Sequence, residues 1–110
     1  MMDAITGEFA TDEQEQPRTL DIDIDVTFQK KRFTTLHLEE PTGKQLERAE
    51  LELNHVDQTP YTMRRYQIAL IAQVGQVPRE VVLELRDSEI RRAFDFLEQL
   101  RRASQATGAT

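Results

Sequence analysis

The sequence predicts an α+β domain in which an N-terminal β-hairpin packs against a small bundle of three to four α-helices. Two observations carry this prediction. Apolar and polar residues alternate strictly near the N-terminus, which is the period of a half-buried strand. Further along, apolar residues recur at helical spacing in segments separated by capping and breaking signals. At 110 residues the chain fits a single domain.

The hairpin is predicted from two alternating runs around a polar, basic turn at residues 29–32. In the first run, the inward side chains are Leu20, Ile22, Ile24, Val26 and Phe28, and the outward ones are Asp21, Asp23, Asp25 and Thr27. Leu36 and Leu38 return in phase, whereas Phe33 is out of phase, which a loop residue or a β-bulge would explain. We expect Ile22, Ile24 and Leu36 to face the helices.

The first two helices are predicted from their N-terminal signals. Thr42 is followed three residues later by Gln45, the pattern of a capping box, so helix one begins near Gly43 and Asn54 is a plausible stop. The Thr-Pro pair at residues 59–60 is typical of a cap followed by the first helical position, and it begins helix two.

Helix two is apolar around most of its circumference, so it is either the central element or has one face against another subunit. Gly75 is its predicted left-handed terminator. A short helix fits residues 78–85, and Asp87 is predicted to cap a last helix whose apolar residues recur at helical spacing to Leu100.

The ends of the chain lack this periodicity. Residues 1–18 are polar and acidic, and the sequence predicts a disordered arm there because no apolar face offsets the entropy of ordering. Residues 101–110 are predicted to be a flexible tail. The predicted single α+β domain therefore covers residues 19–100.

Composition favours a protein partner. The chain has no cysteine, which excludes disulfides and thiolate chemistry and favours a cytoplasmic location. The formal net charge of −6 repels a phosphate backbone, so we expect no nucleic-acid partner. No secretory signal or apolar run of membrane-spanning length is recognisable, so we expect no membrane partner either.

No group of residues in the sequence has the spacing that a known catalytic or metal-binding motif requires. If Asp21 begins a calcium loop with Asp23 and Asp25, its sixth position is Val26 where glycine is needed, and its twelfth is Arg32 where glutamate is needed. The two histidines, at positions 37 and 55, share no metal-ligand spacing, and no nucleophile pattern or phosphate-binding loop is present. We therefore expect no catalytic residues, no metal, no cofactor and no enzymatic activity.

Residues 71–82 have some character of a helix-turn-helix, since an apolar helix ends at Gly75 and a second helix opens at Pro78. The second helix carries Arg79, but also Glu80 and Glu84, in an acidic domain. A small protein-interaction adaptor or a helix-turn-helix-like regulator is therefore the alternative interpretation of this chain.

Three stretches together resemble the tail assembly chaperones of Mu-like and related contractile-tailed phages. They are TTLHLEEPTGKQLERAE at residues 34–50, IALIAQVGQVPREVVLEL at residues 68–85, and RDSEIRRAFDFLEQL at residues 86–100. The resemblance implies a phage protein of the host-cell cytoplasm that binds the tape measure protein, keeps it soluble and promotes tail tube assembly. It implies the tape measure protein as partner, with tail tube subunits as a further candidate.

The apolar surplus of helices two and four predicts self-association and the partner-binding residues. A helix in a one-layer domain needs one apolar face, so we expect the surplus to meet another copy or an amphipathic client helix. The candidate contact residues are Tyr66, Leu70, Phe94 and Phe96. Aromatic residues at helical spacing are also typical of an ordinary core, and this is the alternative interpretation.

Overall fold

The described part of the chain forms a β-hairpin followed by four α-helices. The computed structural model describes residues 17–53 and 57–108. In chain order the elements are β1 (Thr19–Phe28), β2 (Lys31–Glu39), α1 (Gly43–Glu50), a 3-10 turn (Leu51–Leu53), α2 (Pro60–Gly75), α3 (Arg79–Leu83) and α4 (Asp87–Gly108). The predicted α+β architecture is confirmed. The stop expected at Asn54 lies outside the described residues, as does almost all of the arm expected at residues 1–18.

The two strands pair antiparallel and bury one face against the helices. That face carries Ile22, Ile24, Val26, Leu36 and Leu38, all of them buried. The intervening aspartates of β1 are exposed. The predicted orientation of the hairpin is therefore confirmed, and the helices form a second layer on the apolar side of the sheet.

A β-bulge explains the phase of Phe33. Asp23 pairs with Thr35, but the next pair is Val26 with Phe33, so two residues of β1 lie opposite one residue of β2. The extra residue shifts the alternation between the strands. Phe33 thereby packs against the core although it is out of phase with Leu36.

The turn between the strands uses two left-handed residues. Gln29 has φ of 52° and Lys30 has φ of 67°, the signs that a type I′ turn requires at both central positions. This turn matches the twist of the flanking strands and joins them without a longer loop.

α2 is the central element of the helical layer. Its buried residues are Tyr66, Ile68, Leu70, Ile71 and Val74, which span about 200° of the helix circumference at about 100° per residue and so form a face wider than one stripe. α1, the 3-10 turn, α3, α4 and β2 all contact it. Burial within this chain therefore explains most of the apolar width of α2.

Side-chain caps begin α1 and α2 as the sequence predicts. Thr42 and Gln45 form a complete capping box at α1, and Thr59 and Thr62 form one at α2. Gln45 also contacts α2, because its side-chain Nε2 donates to the backbone carbonyl of Gln73 at 3.2 Å. The start of α1 is thereby tied to the last turn of α2.

The left-handed residue at the end of α2 is Gln76, not Gly75. Gln76 has φ of 54°, and none of the described glycines has positive φ. The amide of Gln76 donates to Gln73 and that of Val77 to Ala72, which is the pairing of a Schellman motif. Gly75 serves packing instead: a Cβ at this position would lie 2.5 Å from Cδ1 of the buried Leu36.

Both ends of α4 differ from the prediction. Asp87 does not cap the helix; the backbone carbonyl of Arg86 begins it, and the Glu89 carboxylate accepts the Arg86 amide at 2.9 Å. At the other end, α4 continues to Gly108, so the helical segment does not stop at Leu100 as the predicted flexible tail required. The sequence does not predict this extension because the residues after Leu100 are mostly polar. They lack apolar residues at helical spacing, yet they do not end the helix.

The close approach of Gly75 to Leu36 makes a testable prediction. Gly75→Ala should lower the free energy of unfolding by about 1 kcal/mol, because the steric cost of about 1 to 3 kcal/mol exceeds the helix propensity that alanine adds. Gly43→Ala is the matched control, since nothing lies within 4 Å of a Cβ there. Urea unfolding followed by circular dichroism measures both. Equal stability of the two variants would contradict the proposed contact.

Candidate partner-binding surface

The residues predicted to bind a partner lie in or against the core. Leu70 is fully buried, and Tyr66 and Phe96 are only 5% and 8% exposed. Phe94 is half-buried and packs edge-on against Tyr66, with ring centroids 6.0 Å apart. These residues pack α2 against α4. They therefore have the ordinary core role that was the alternative interpretation of their helical spacing. As placed in this chain, Leu70 and Tyr66 are inaccessible to a partner.

The polar end of Tyr66 remains near the surface. Its hydroxyl oxygen accepts from the Arg101 guanidinium at 3.4 Å, and Arg101 also pairs with Glu98 at 3.1 Å. Burial raises the pKa of the Tyr66 hydroxyl above its usual value. The ring therefore fills the core while its hydroxyl is satisfied at the edge of α4.

Exposed apolar area lies elsewhere. Among the described residues, three large hydrophobic side chains are more than half exposed: Leu51 at 62%, Tyr61 at 67% and Leu83 at 52%. Leu51 belongs to the 3-10 turn, Tyr61 to the first turn of α2 and Leu83 to α3. Sequence analysis missed all three, because none of them continues an apolar stripe.

Ion pairs centred on Glu52 connect the three elements that carry these side chains. The Glu52 carboxylate accepts from Arg65 of α2 at 2.9 Å and lies 3.5 Å from Arg79 of α3. Arg65 also lies over the ring of Tyr61, 5.7 Å from its centroid, and donates to its hydroxyl. Hydrogen bonds to Tyr61 and then Glu52 raise the pKa of the Arg65 guanidinium. Leu51 adjoins Glu52, and Leu83 follows Arg79 by one helical turn.

A cleft of about 440 Å³ opens beside these ion pairs. Small apolar side chains of α2 and the following turn contribute Ala69, Ala72 and Val77. Polar and charged side chains complete its lining: Arg48, Glu52, Gln73, Gln76 and Arg79. We call this cleft, together with Leu51, Tyr61, Leu83 and Arg65, the Glu52 surface. It offers apolar contacts beside fixed charges, the arrangement that an amphipathic segment of another protein fits.

The outer face of the hairpin carries the three aspartates and His37. His37 Nδ1 lies 2.6 Å from an Asp21 carboxylate oxygen, and Arg32 donates to Asp25 at 3.0 Å. The other histidine, His55, lies outside the described residues. Within the described ranges, no group of three or more histidine, cysteine, aspartate or glutamate side chains has the geometry to hold a metal ion.

The segment considered as a helix-turn-helix has a very short second helix. α3 spans only Arg79–Leu83, and Val81 and Val82 are fully buried. The exposed side chains at this position are Glu80, Leu83 and Glu84. If α3 bound DNA, these carboxylates would face the negatively charged phosphates and be repelled by them. This repulsion argues against α3 as a DNA-recognition helix.

One further charge cluster joins α2 to α4. Asp87 pairs with Arg64 at 2.7 Å and with Arg91 at 2.9 Å. The hydrogen bond from Arg64 is the main cause that lowers the pKa of the Asp87 carboxyl below its usual value. Asp87, which does not cap α4, therefore holds its start against α2.

No protein family, characterised protein or solved structure matches this chain. Among the described residues, no helix combines the length and apolar content needed to cross a bilayer.

The contact between Asp21 and His37 makes a prediction about pH. The hydrogen bond to Asp21 raises the pKa of His37 above 6.5, so protonated His37 stabilises the folded hairpin. This contribution is complete below pH 6.5 and is lost as the pH rises through the higher pKa of the folded state. An NMR titration of the imidazole should give a midpoint above 6.5 in the wild type.

Asp21→Asn should lower that midpoint more than Glu39→Gln does, because Asp21 provides the larger influence on His37. Both variants remove one carboxylate from the same face of the hairpin, so they match in net charge. A midpoint that responds equally to both would contradict the specific hydrogen bond.

Proposed function

We propose that this protein is a tail assembly chaperone of a contractile-tailed phage, which binds the tape measure protein, keeps it soluble and promotes tail tube assembly. The observation that carries the proposal is the Glu52 surface. A protein that holds a long helical client needs accessible apolar side chains and charged groups that orient the client. Leu51, Tyr61 and Leu83 supply the first, and the pairs of Glu52 with Arg65 and Arg79 supply the second.

The segments that resemble the chaperone family include consecutive elements of the fold and the caps between them, which supports the proposal. Residues 34–50 contain most of β2, the capping box and α1. Residues 68–85 contain the second half of α2, its Schellman motif and α3, and residues 86–100 contain most of α4. All three segments contribute buried residues to the same core. The resemblance therefore involves most elements of the domain, although β1 and the first half of α2 lie outside the three segments.

The proposed client contact differs from the one that the sequence predicts. Tyr66 and Leu70 stabilise the chaperone itself, and the contact moves to Tyr61, which lies at the exposed start of the same helix. The client is an amphipathic helix of the tape measure protein whose apolar side chains enter the cleft over Ala69 and Ala72. Small residues there allow a helix to approach closely. Tail tube subunits are the further proposed partner, and self-association in the host cytoplasm is part of the same proposal.

The second candidate function is a small interaction adaptor that holds a different helical protein. The Glu52 surface serves that function equally, so the identity of the client separates the two. A helix-turn-helix regulator has less support, because α3 is short and flanked by Glu80 and Glu84. The proposed chaperone uses neither catalysis nor a cofactor.

Mutation of Tyr61 tests the client contact. Tyr61→Ala should weaken binding to the tape measure protein about 10-fold or more, because an anchoring aromatic side chain in such a contact typically contributes about 2 kcal/mol. Its melting temperature should stay close to the wild-type value, since the side chain is 67% exposed. Tyr61→Phe is the matched control: it retains the ring under Arg65 and should retain most of the affinity.

The measurement is co-expression with the tape measure protein, followed by the soluble yield of that protein and by titration of its purified helical fragments. Full affinity in Tyr61→Ala would exclude the Glu52 surface as the client site. Failure of the wild-type protein to bind or solubilise the tape measure protein would exclude the chaperone function itself. Loss of binding together with unfolding is the outcome expected for Tyr66→Ala, which removes a buried aromatic side chain at a cost of about 3 to 5 kcal/mol.

A further inference from the structure

β1 has one edge that no strand covers. In the described part of the chain the sheet contains β1 and β2 only, so β1 pairs along one side and presents free backbone amides and carbonyls on the other. Three grooves follow one another beside β1, and none of them is lined by a residue of β2. They therefore lie along the unpaired edge, between β1 on one side and α3 and α4 on the other.

The grooves lie in a row along β1, which we call the path: the first two share Asp25, Val26 and Glu84, and the third shares no lining residue with them. The first extends from Phe28 to Asp25 and faces Glu80 and Glu84 of α3 and its end. The second extends from Val26 to Asp23 and faces Glu84 and the start of α4. The third, of about 520 Å³, lies between Leu20 and α4. An extended segment placed in this path would run along the whole of β1, which is the geometry of strand addition.

Charge distinguishes one end of the path from the other. The first two grooves are lined by five carboxylates and one guanidinium: Asp23, Asp25, Glu80, Glu84, Glu89 and Arg86. Asp25 pairs with Arg32, and Glu89 accepts the Arg86 amide. Asp23 and Asp25 belong to the outer face of the sheet, whereas Glu80 and Glu84 come from the helical layer. An added strand would meet negative charge on both of its faces here.

The third groove has a different character. Leu20 and Phe96 provide apolar walls, and Arg91, Arg92, Ser88, Asp95 and Gln99 surround them. Phe96 is mostly buried, yet it is part of this lining. Leu20 and Val26 are about 20 Å apart along an extended strand, at roughly 3.3 Å per residue. The apolar groove at Leu20 therefore lies about six residues from Val26 and about three from Asp23, the nearest carboxylate of the acidic grooves.

We propose that the free edge of β1 binds an extended basic segment of a partner protein, which adds a third strand to the sheet. The segment carries a run of consecutive lysine or arginine residues beside Asp23, Asp25, Glu80 and Glu84. About six residues along, it places one apolar side chain between Leu20 and Phe96. Backbone hydrogen bonds to β1 supply the strand geometry, and the carboxylates select a basic sequence.

The same charges oppose a second copy of β1 as the occupant. Pairing two β1 edges would bring the aspartates of both strands together, and like charges on neighbouring strands are destabilising. The edge is therefore protected from self-pairing and open to a strand of opposite charge. This inference goes beyond the proposed client contact, because the β1 edge shares no residue with the Glu52 surface.

A synthetic peptide of about twelve residues provides the probe, with four lysines followed by threonine and valine and then a single leucine at the proposed spacing. It is made in both chain directions, since strands add in parallel or antiparallel orientation. Binding to the full chain is measured by fluorescence anisotropy, and contacts are mapped through the backbone amides of β1 by NMR. We expect binding that weakens as salt is added and hydrogen-exchange protection along β1.

Asp23→Asn combined with Glu84→Gln should weaken this binding about 5-fold or more. Glu47→Gln combined with Glu50→Gln is the matched control, because it removes the same charge from the exposed face of α1 and should leave the affinity unchanged. A control peptide of the same sequence has N-methyl groups on alternate backbone amides. These groups keep the charge of the peptide but prevent it from pairing with β1. It should bind at least about 5-fold more weakly if backbone pairing contributes.

Equal binding of the methylated peptide would overturn strand addition in favour of charge attraction alone. Equal loss in both double variants, or NMR changes away from β1, would overturn the assignment of the site. Protection of the β1 edge in the free protein that depends on protein concentration would show that a second copy occupies it, which also overturns the proposal. A failure of tape measure binding leaves these measurements unaffected, so the two proposals fail separately.

Discussion

The rest of the domain depends on covering α2. Its buried residues span about 200° of the helix circumference at about 100° per residue, so no single neighbour can remove its apolar area from water. β2, α1, α3, α4 and the 3-10 turn each contact a different part of it. A two-stranded sheet would be only marginally stable alone, and the helices complete the face that the sheet leaves open. The hairpin and the helical layer are thus parts of one cooperative core.

Close contacts at the last turn of α2 set how the layers meet. Gly75 lets α2 approach the buried Leu36, and the Gln45 side chain joins the Gln73 carbonyl to the start of α1. The left-handed conformation of Gln76 then redirects the chain into α3. These contacts place Arg79 within reach of Glu52 and so determine the Glu52 surface. They also place α3 beside β1, where its carboxylates border the free edge.

The division between apolar interior and charged exterior separates stability from function in this protein. Among the described residues, no charged side chain is buried, so the charged groups that could orient a partner lie at the surface. Recognition must come from the surface, where Glu52 links three elements and where β1 leaves its backbone unpaired. One surface suits an amphipathic helix and the other an extended basic segment. The proposed chaperone function, in which a long client is held and then released to an assembling structure, would use two such contacts.

The sequence by itself determined the elements whose signals are local. Alternation predicts β1 and its inward residues, and the Thr42 and Thr59 caps begin α1 and α2, because strand faces and helix caps depend on residues within a few positions of each other. The phase break at Phe33 is compatible with a loop residue or a bulge, and the structure shows a bulge whose extra residue is on β1.

Only the tertiary structure decided which apolar residues are accessible. Helical spacing alone does not distinguish a core residue from a partner-contact residue at Tyr66, Leu70 and Phe96. These three side chains are buried because other elements pack on α2 and α4. Tyr61 and Leu83 carry no periodic signal, and only the tertiary structure shows that both side chains are exposed on elements that Glu52 joins. Tertiary packing also explains why Gln76 is the left-handed residue at the end of α2, whereas Gly75 allows close packing. The close approach of Gly75 to Leu36 is a contact between residues far apart in the sequence, so the residues next to Gly75 cannot predict it.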